Sequence, residues 1–391
     1  MTDLLELPRL SLAERDRRWK KVRDVMARYG LDCILVRGHS AKWDSFAANM
    51  RYLTEIGGNG EEGFVVFPLH GDPTCFVWSG QLFSNWWLRA RNWVQDVRGC
   101  PDRGWSGAIR KRFQEMGLER GLVGIVGLSG IMEPEGIIGY KTFLRLQQDF
   151  PRIEFIDWTI VMEEMRMCKS EEEIGRHEKA AEIADIAIDT LMAKARPGVL
   201  LNELYAEMVY AMLKNGAEYP VMLVMDAGES PCQPNRLPTF LRLKTGDIVV
   251  NEVSSKYAGY WAHPNRPVSL GDPKDAEFNK LFDLCLESLN IGITKLKAGT
   301  TVHELNEAMS TPLKPAGYLL HHALHGVGLA ENESPFARLP ETELKENFVI
   351  ALQPLVTTKD LRKGITLGDT FVIGKERSRQ LSRHPLEFFR V

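Results

Sequence analysis

The sequence predicts an α+β protein of two domains: an α/β domain over residues 1–160, then a domain over residues 161–391 built as an antiparallel sheet covered by helices. Three observations carry this. Short apolar runs alternate with a helical pattern through the first third of the chain. From Asp157 the text changes to longer amphipathic helices, the first of them opened by Ser170-Glu-Glu-Glu173. Strand-like runs then occupy residues 246–270 and, after further helices, residues 347–374.

Each element has its own signal. Ser11-Leu-Ala-Glu14 is a capping-box pattern, in which the serine oxygen accepts from the third helical amide and the glutamate reaches back to the cap. An amphipathic helix runs from there to Gly30. Leu31-Asp-Cys-Ile-Leu-Val36, Gly63-Phe-Val-Val-Phe67, Thr74-Cys-Phe-Val-Trp78 and Gly121-Leu-Val-Gly-Ile-Val-Gly127 read as short strands, with a helical pattern over residues 106–116. The boundary falls between residues 158 and 169. Beyond it Ile183, Ile186, Ala187 and Leu191 recur at helical spacing until Pro197-Gly198 stops the helix. A helix over residues 202–214, strands over 246–270 and a long helix over about 274–297 follow, then a third capping box at Thr301-Val-His-Glu304. The tail returns to strands.

Composition narrows the function classes. The 391 residues carry 49 basic and 52 acidic side chains, a net charge of −3, which argues against a nucleic-acid binder. An apolar fraction of 44% with 26% charged residues is ordinary globular composition. No apolar run reaches the roughly 18 residues of a membrane span, and the N-terminal charges lie among leucines instead of ahead of a long apolar stretch. Cys33, Cys75, Cys100, Cys168, Cys232 and Cys285 are scattered without CxxC pairs, so neither disulfides nor a structural zinc are expected. A soluble cytoplasmic protein is expected, without membrane or nucleic-acid partners.

Two segments carry the chemistry. In Gly246-Asp-Ile-Val-Val-Asn-Glu252-Val-Ser-Ser-Lys-Tyr-Ala-Gly259-Tyr-Trp-Ala-His263-Pro-Asn-Arg266, a turn centred between Tyr257 and Ala258 sets Glu252 directly opposite His263. Opposed side chains on a ladder have β-carbons about 4.5 to 5.5 Å apart, so carboxylate and imidazole touch. A glutamate so placed orients the histidine, raises its basicity, or serves as nucleophile beside an acid. A solvated cross-strand ion pair is the plain alternative. In His321-His322-Ala-Leu-His325-Gly-Val-Gly328-Leu-Ala-Glu-Asn332-Glu333-Ser-Pro335, Gly326 and Gly328 flank one apolar residue and let the backbone come close to something. That singles out His325 from its neighbours.

At these residues the chain resembles the pita-bread family of creatinase, prolidase, aminopeptidase P and methionine aminopeptidase. Asn49-Met-Arg51-Tyr52-Leu-Thr54 is similar to the N-domain phrase of the two-domain members, and Arg166-Met-Cys-Lys169-Ser-Glu-Glu-Glu173 to the start of their catalytic domain. Gly246-Asp-Ile-Val, Gly259-Tyr and Arg266 match the hairpin that carries two metal aspartates in the peptidases. His325-Gly-Val-Gly-Leu matches the metal histidine. Ala351-Leu-Gln353-Pro and Gly364-Ile-Thr-Leu-Gly368-Asp369-Thr match the regions that supply bridging glutamates. The resemblance therefore implies an N-terminal creatinase-like domain, a C-terminal pita-bread catalytic domain and a homodimer.

The departures matter more than the matches. Glu252 and His263 stand where the peptidases carry aspartates, and Gln353 and Gly368 where they carry glutamates. Two ions side by side need bridging carboxylates to offset their repulsion, so a dinuclear centre is not expected. Pro234-Asn235 and Asn332 replace two assisting histidines, and Asn235 is also where creatinase has its catalytic histidine. The expected site is accordingly metal-free and without a cofactor, in the manner of creatinase and ectoine hydrolase, cleaving a carbon–nitrogen bond of a small amidine, ureido or amide compound. Glu252 acts as nucleophile or base, His263 shuttles the proton, and His325 supports the tetrahedral centre. Arg51, Tyr52, Trp261, Asn332, Glu333, Gln353 and Asp369 are the expected substrate-binding residues. Two other readings stand beside this one: a mononuclear metal-dependent Xaa-Pro peptidase-like hydrolase or lyase with Glu252, His263 and His325 as ligands, and a non-catalytic pita-bread binding protein.

Overall fold

The computed structural model describes residues 7–78, 80–91, 93–233, 237–336 and 339–391, which fall into two compact units divided between Arg166 and Met167. In the first unit Ser11 caps helix α1 (Leu12–Tyr29), its hydroxyl accepting from the Glu14 amide, and Gly30 ends it in the left-handed conformation. The capping box is only half made. The Glu14 carboxylate binds Arg17 and the buried Arg18 at 2.7 and 2.6 Å, two guanidinium partners in place of one amide at the cap. Arg18 in turn lies over the ring of Tyr52, 4.5 Å from its centroid, and helix α2 (Ala48–Thr54) carries both Arg51 and Tyr52 as buried residues.

Six strands follow: β1 (Cys33–Gly38), β2 (Gly63–Pro68), β3 (Thr74–Val77), β4 (Asp96–Gly99), β5 (Gly121–Val126) and β6 (Ile153–Asp157). They form one mixed sheet in the order β4-β3-β2-β1-β5-β6. Every residue of β1 and β2 is buried, which is why these strands read as unbroken apolar runs without alternation. Helices α3 (Gln81–Ala90), α4 (Trp105–Glu115) and α5 (Tyr140–Asp149) intervene, and α6 (Thr159–Met167) closes the unit.

The second unit opens with α7 (Glu171–Lys194), whose Ser170 and Glu173 make both halves of the predicted capping box. After α8 (Leu201–Lys214) come β7 (Met222–Gly228), β8 (Ile248–Tyr257), β9 (Tyr260–Ala262) and β10 (Val268–Ser269). Helices α9 (Glu277–Lys295), α10 (Val302–Ser310) and α11 (Leu313–Ala316) follow; Thr301 and Glu304 complete the third capping box at the start of α10. The last strands are β11 (Leu319–His321), β12 (Leu324–Gly326), β13 (Glu333–Phe336), β14 (Val349–Leu352), β15 (Leu355–Thr357), β16 (Gly364–Thr366), β17 (Asp369–Val372), β18 (Arg379–Gln380) and β19 (Phe389–Arg390). Among the described residues the strands of this unit pair antiparallel except β10 with β19. The α+β class and the two-domain order read from the sequence are those of the structure.

Strand β8 is the spine of this unit. Val249 and Val253 on one face join the core formed with α7 and α8, while Ile248 and Val250 on the other join the core formed with α9, α10 and β14. Continuing along that second face, period two brings Glu252 next. No helix among the described residues is long and apolar enough to cross a membrane.

Candidate active site

The hairpin that presents the first site residues differs from expectation in register. Strands β8 and β9 pair Ser255 with Ala262, Lys256 with Trp261 and Tyr257 with Tyr260. The turn is Ala258-Gly259, both at positive φ, 48° and 92°, the signs a type I′ two-residue hairpin turn requires at its central positions. The Val253 amide bonds the Pro264 carbonyl at 3.1 Å, carrying that register onward. His263 is thus across from Ser254, not from Glu252. The displacement is two residues, so the pleat still sends both side chains to one face. They meet diagonally, Glu252 Oε2 lying 3.7 Å from His263 Nε2.

His263 is buried, its own amide bonded to Thr370 Oγ1 at 2.7 Å. His325 lies on β12 opposite Ala351 of β14, with a register shift on its β13 side. A β-carbon on Gly326 would meet the Ser334 carbonyl oxygen at 2.1 Å, and one on Gly328 would meet the Glu333 carboxylate at 2.3 Å. Gly326 is therefore needed for the chain to fold back on itself there, and Gly328 leaves the space that the Glu333 carboxylate occupies. That return carries Glu331, which the sequence reading did not single out, into the site.

Glu331 Oε1 lies 2.8 Å from His263 Nδ1 and 4.0 Å from His325 Nε2. The two imidazoles stand edge to face, centroids 5.3 Å apart. One donor atom from each of His263, His325 and Glu331 falls within 4.8 Å of the others, and all three residues are buried. Among the described residues neither ring nitrogen of His263 has a partner in hydrogen-bond geometry, although Glu331 is so near. Burial pulls the His263 pKa down, but Glu331 beside it, with Glu252 and Asp369 farther off, outweighs burial and holds it above the ordinary value. Glu252 is the partly open member, its side chain 30% exposed.

A neutral relay fixes His325. Its Nδ1 lies 2.9 Å from the Gly326 carbonyl and its Nε2 3.0 Å from Gln353 Nε2. Asn265 Nδ2 donates both to Gln353 Oε1, at 2.8 Å, and to Thr366 Oγ1, at 3.0 Å. Beside Gln353, a β-carbon on Gly368 would meet the Gln353 Cα and the Leu352 carbonyl oxygen at 2.5 Å, so no side chain fits at that position.

Several expected substrate-binding residues have other partners. Glu333 is buried against Lys169 at 3.1 Å and accepts from the Ala330 amide, so it is not a counter-charge for a cation. Asp369 is wholly buried in an ion pair with Arg266 at 2.5 Å and also accepts from Gln380; burial raises its carboxyl pKa against the pull of Arg266. Trp261 is fully buried with the Lys256 ammonium 5.0 Å from its ring centroid, which leaves no open face for substrate. Both ends of the Gln353 amide are engaged in the relay. Asn332 donates to Glu331 Oε2. Arg51 and Tyr52 are buried within the first unit. Pro234 and Asn235 lie outside the described residues.

Sequence comparison agrees with this architecture. Residues 18–168 match the creatinase/prolidase N-terminal domain and residues 175–375 match metallopeptidase family M24. The chain belongs to metallopeptidase family M24. It is 29% identical over 254 residues to an Xaa-Pro dipeptidase of Pyrococcus furiosus, covering 64% of this chain and 72% of the relative. It is 31% identical over 228 residues to an Xaa-Pro dipeptidase of Pyrococcus horikoshii, covering 57% of this chain and 64% of the relative. The structure superimposes on an X-Pro aminopeptidase from Thermotoga maritima with a TM-score of 0.81 at 21% identity, over 95% of this chain and 99% of the other, a likeness of fold.

A two-ion centre does not fit these residues. Gln353 is neutral and Gly368 has no side chain, so the bridging carboxylates that would offset the repulsion of two cations are absent from those positions. A single ion does fit. Two imidazoles and a carboxylate are a familiar donor set for zinc or iron, and His263 holds buried nitrogens without hydrogen-bond partners.

Proposed function

We propose that this chain is a hydrolase that cleaves an amide bond of a small peptide-like substrate, as Xaa-Pro peptidases do, from a one-ion centre held by His263, His325 and Glu331. The convergence of those three buried donors within 4.8 Å carries the reading. The carboxylate of the set is Glu331, in place of the Glu252 that the mononuclear alternative named as a ligand. A divalent ion there supplies Lewis acidity that polarises a carbonyl and makes water more acidic. The protein's own part follows from the geometry. Glu252, partly open and 3.7 Å from His263, is placed to accept a proton from an attacking water and return it to the departing nitrogen. The buried ion pair of Lys169 with Glu333 braces the segment that carries Glu331.

The test joins metal content to substrate class. Protein purified without added metal is analysed for zinc, iron and manganese, then assayed with Xaa-Pro dipeptides and with guanidino, ureido and cyclic amidine compounds before and after chelation. One equivalent of metal and chelator-sensitive cleavage of an amide are expected. Chelator-indifferent turnover of a guanidino or ureido compound would instead restore the metal-free reading, with His263 as proton shuttle between two carboxylates. Binding without turnover of any compound would favour the non-catalytic reading.

A further inference from the structure

We infer that Gln353 sets the metal affinity of this site by competing with the ion for the Nε2 lone pair of His325. The inference rests on the one-ion reading above and concerns what regulates it.

The relay can be read outward from the Gly326 carbonyl. A carbonyl oxygen only accepts, so the His325 Nδ1 that faces it at 2.9 Å carries the proton. In a neutral imidazole Nε2 is then bare. Gln353 reaches Nε2 at 3.0 Å with its amide nitrogen, a donor. The other end of that amide is engaged as well: Gln353 Oε1 accepts from Asn265 Nδ2, which also lies 3.0 Å from Thr366 Oγ1. His325, Gln353, Asn265 and Thr366 are all buried, so water does not readily replace a missing member.

A backbone carbonyl on Nδ1 is what a histidine ligand ordinarily has behind it, since it fixes the tautomer that points a lone pair at the ion. Here that lone pair already has a hydrogen bond. One lone pair cannot serve both an N–H and a cation, so binding must break the Gln353 contact and turn or displace a buried amide. The cost falls on the bound state alone. Removing the competing donor while leaving the Gly326 contact should therefore tighten binding. A net hydrogen bond of ordinary strength corresponds to about a 3- to 10-fold change.

The experiment titrates chelator-treated protein with cobalt(II), followed by its visible absorption, and with zinc(II) in competition with a chromophoric chelator. Wild type, Gln353→Met and Gln353→Ala are compared, with His263→Ala as the control that removes a ligand; thermal melts establish that each variant is folded. Gln353→Met is close to isosteric, and Gln353→Ala removes the donor with less bulk should the first not fold. The expected result is one ion per chain in wild type, strongly weakened binding in His263→Ala, and 3- to 10-fold tighter binding in the Gln353 variants. Equal or weaker binding in the folded variants overturns the inference and makes Gln353 a bystander or a ligand, while the one-ion reading stands. Absence of binding in wild type and Gln353 variants alike removes the one-ion reading and this inference with it.

Discussion

Glu331 and His263 face each other at 2.8 Å, carboxylate oxygen to ring nitrogen, outside hydrogen-bond geometry. The carboxylate beside the ring holds the His263 pKa above its ordinary value against the pull of burial. Glu331→Gln keeps the shape and removes the charge. It should abolish stoichiometric metal binding and lower kcat/KM by on the order of 100-fold or more, with the melting temperature of the metal-free protein little changed; elemental analysis with steady-state kinetics checks both.

Glu252→Gln separates proton transfer from metal holding. The variant should lose about 100- to 10,000-fold in kcat while binding one ion as wild type does. Normal activity in this variant would remove Glu252 from the chemistry.

Lys169 and Glu333 are each about 2% exposed and bonded at 3.1 Å. Lys169→Met takes a buried cation away from a buried carboxylate, which should cost about 3 to 5 kcal/mol in urea unfolding. Adding Glu333→Gln should recover much of that loss, and failure to recover it would show that the lysine acts through packing alone.

His177 is buried with Nδ1 2.6 Å from the Trp261 carbonyl, and burial, aided by Lys169, pushes its pKa down to about 3. The unfolded chain keeps an ordinary value near 6.5. As pH falls below about 6.5 the unfolded state takes the proton first, so the stabilisation is complete above that pH and declines down to about pH 3. The slope from this group is at most about 1.4 kcal/mol per pH unit. His177→Gln should flatten that part of the stability–pH curve, measured by denaturant unfolding between pH 7 and 4.

Gly326→Ala places a methyl 2.1 Å from a backbone oxygen of Ser334, which no rotamer can relieve. The strands β12 and β13 must part, at a cost of about 1 to 3 kcal/mol. Because Glu331 lies between those strands, metal affinity should fall together with stability, in contrast to Glu331→Gln.

The elements with strong local signals were legible. The capping boxes at Ser170 and Thr301 form because each satisfies amides that helix ends leave open, whatever packs around them. At Ser11 the same pattern is half used, since Arg17 and Arg18 offer Glu14 stronger partners than an amide. Glu252 and His263 were found as a pair although the hairpin register was set two residues off. Side-chain direction alternates with period two, and an error of two preserves the face.

Glu331 was not legible. In Glu331-Asn332-Glu333 two acids alternate with an amide, and nothing periodic says which acid faces which group. The structure gives Glu333 to Lys169 and Glu331 to His263. The sequence likewise leaves Asp369 open to a cationic substrate, whereas the structure pairs it with Arg266, both side chains fully buried.

From the sequence alone follow the two-domain α+β architecture, the hairpin and the histidines His263 and His325, because helix caps, strand runs and motif phrases are local and act through the chain's own geometry. The tertiary structure decided which carboxylate meets those histidines and which amide holds His325. Those choices depend on which buried charges and lone pairs find partners from distant strands, and burial makes an unpartnered polar group costly enough to dictate the arrangement.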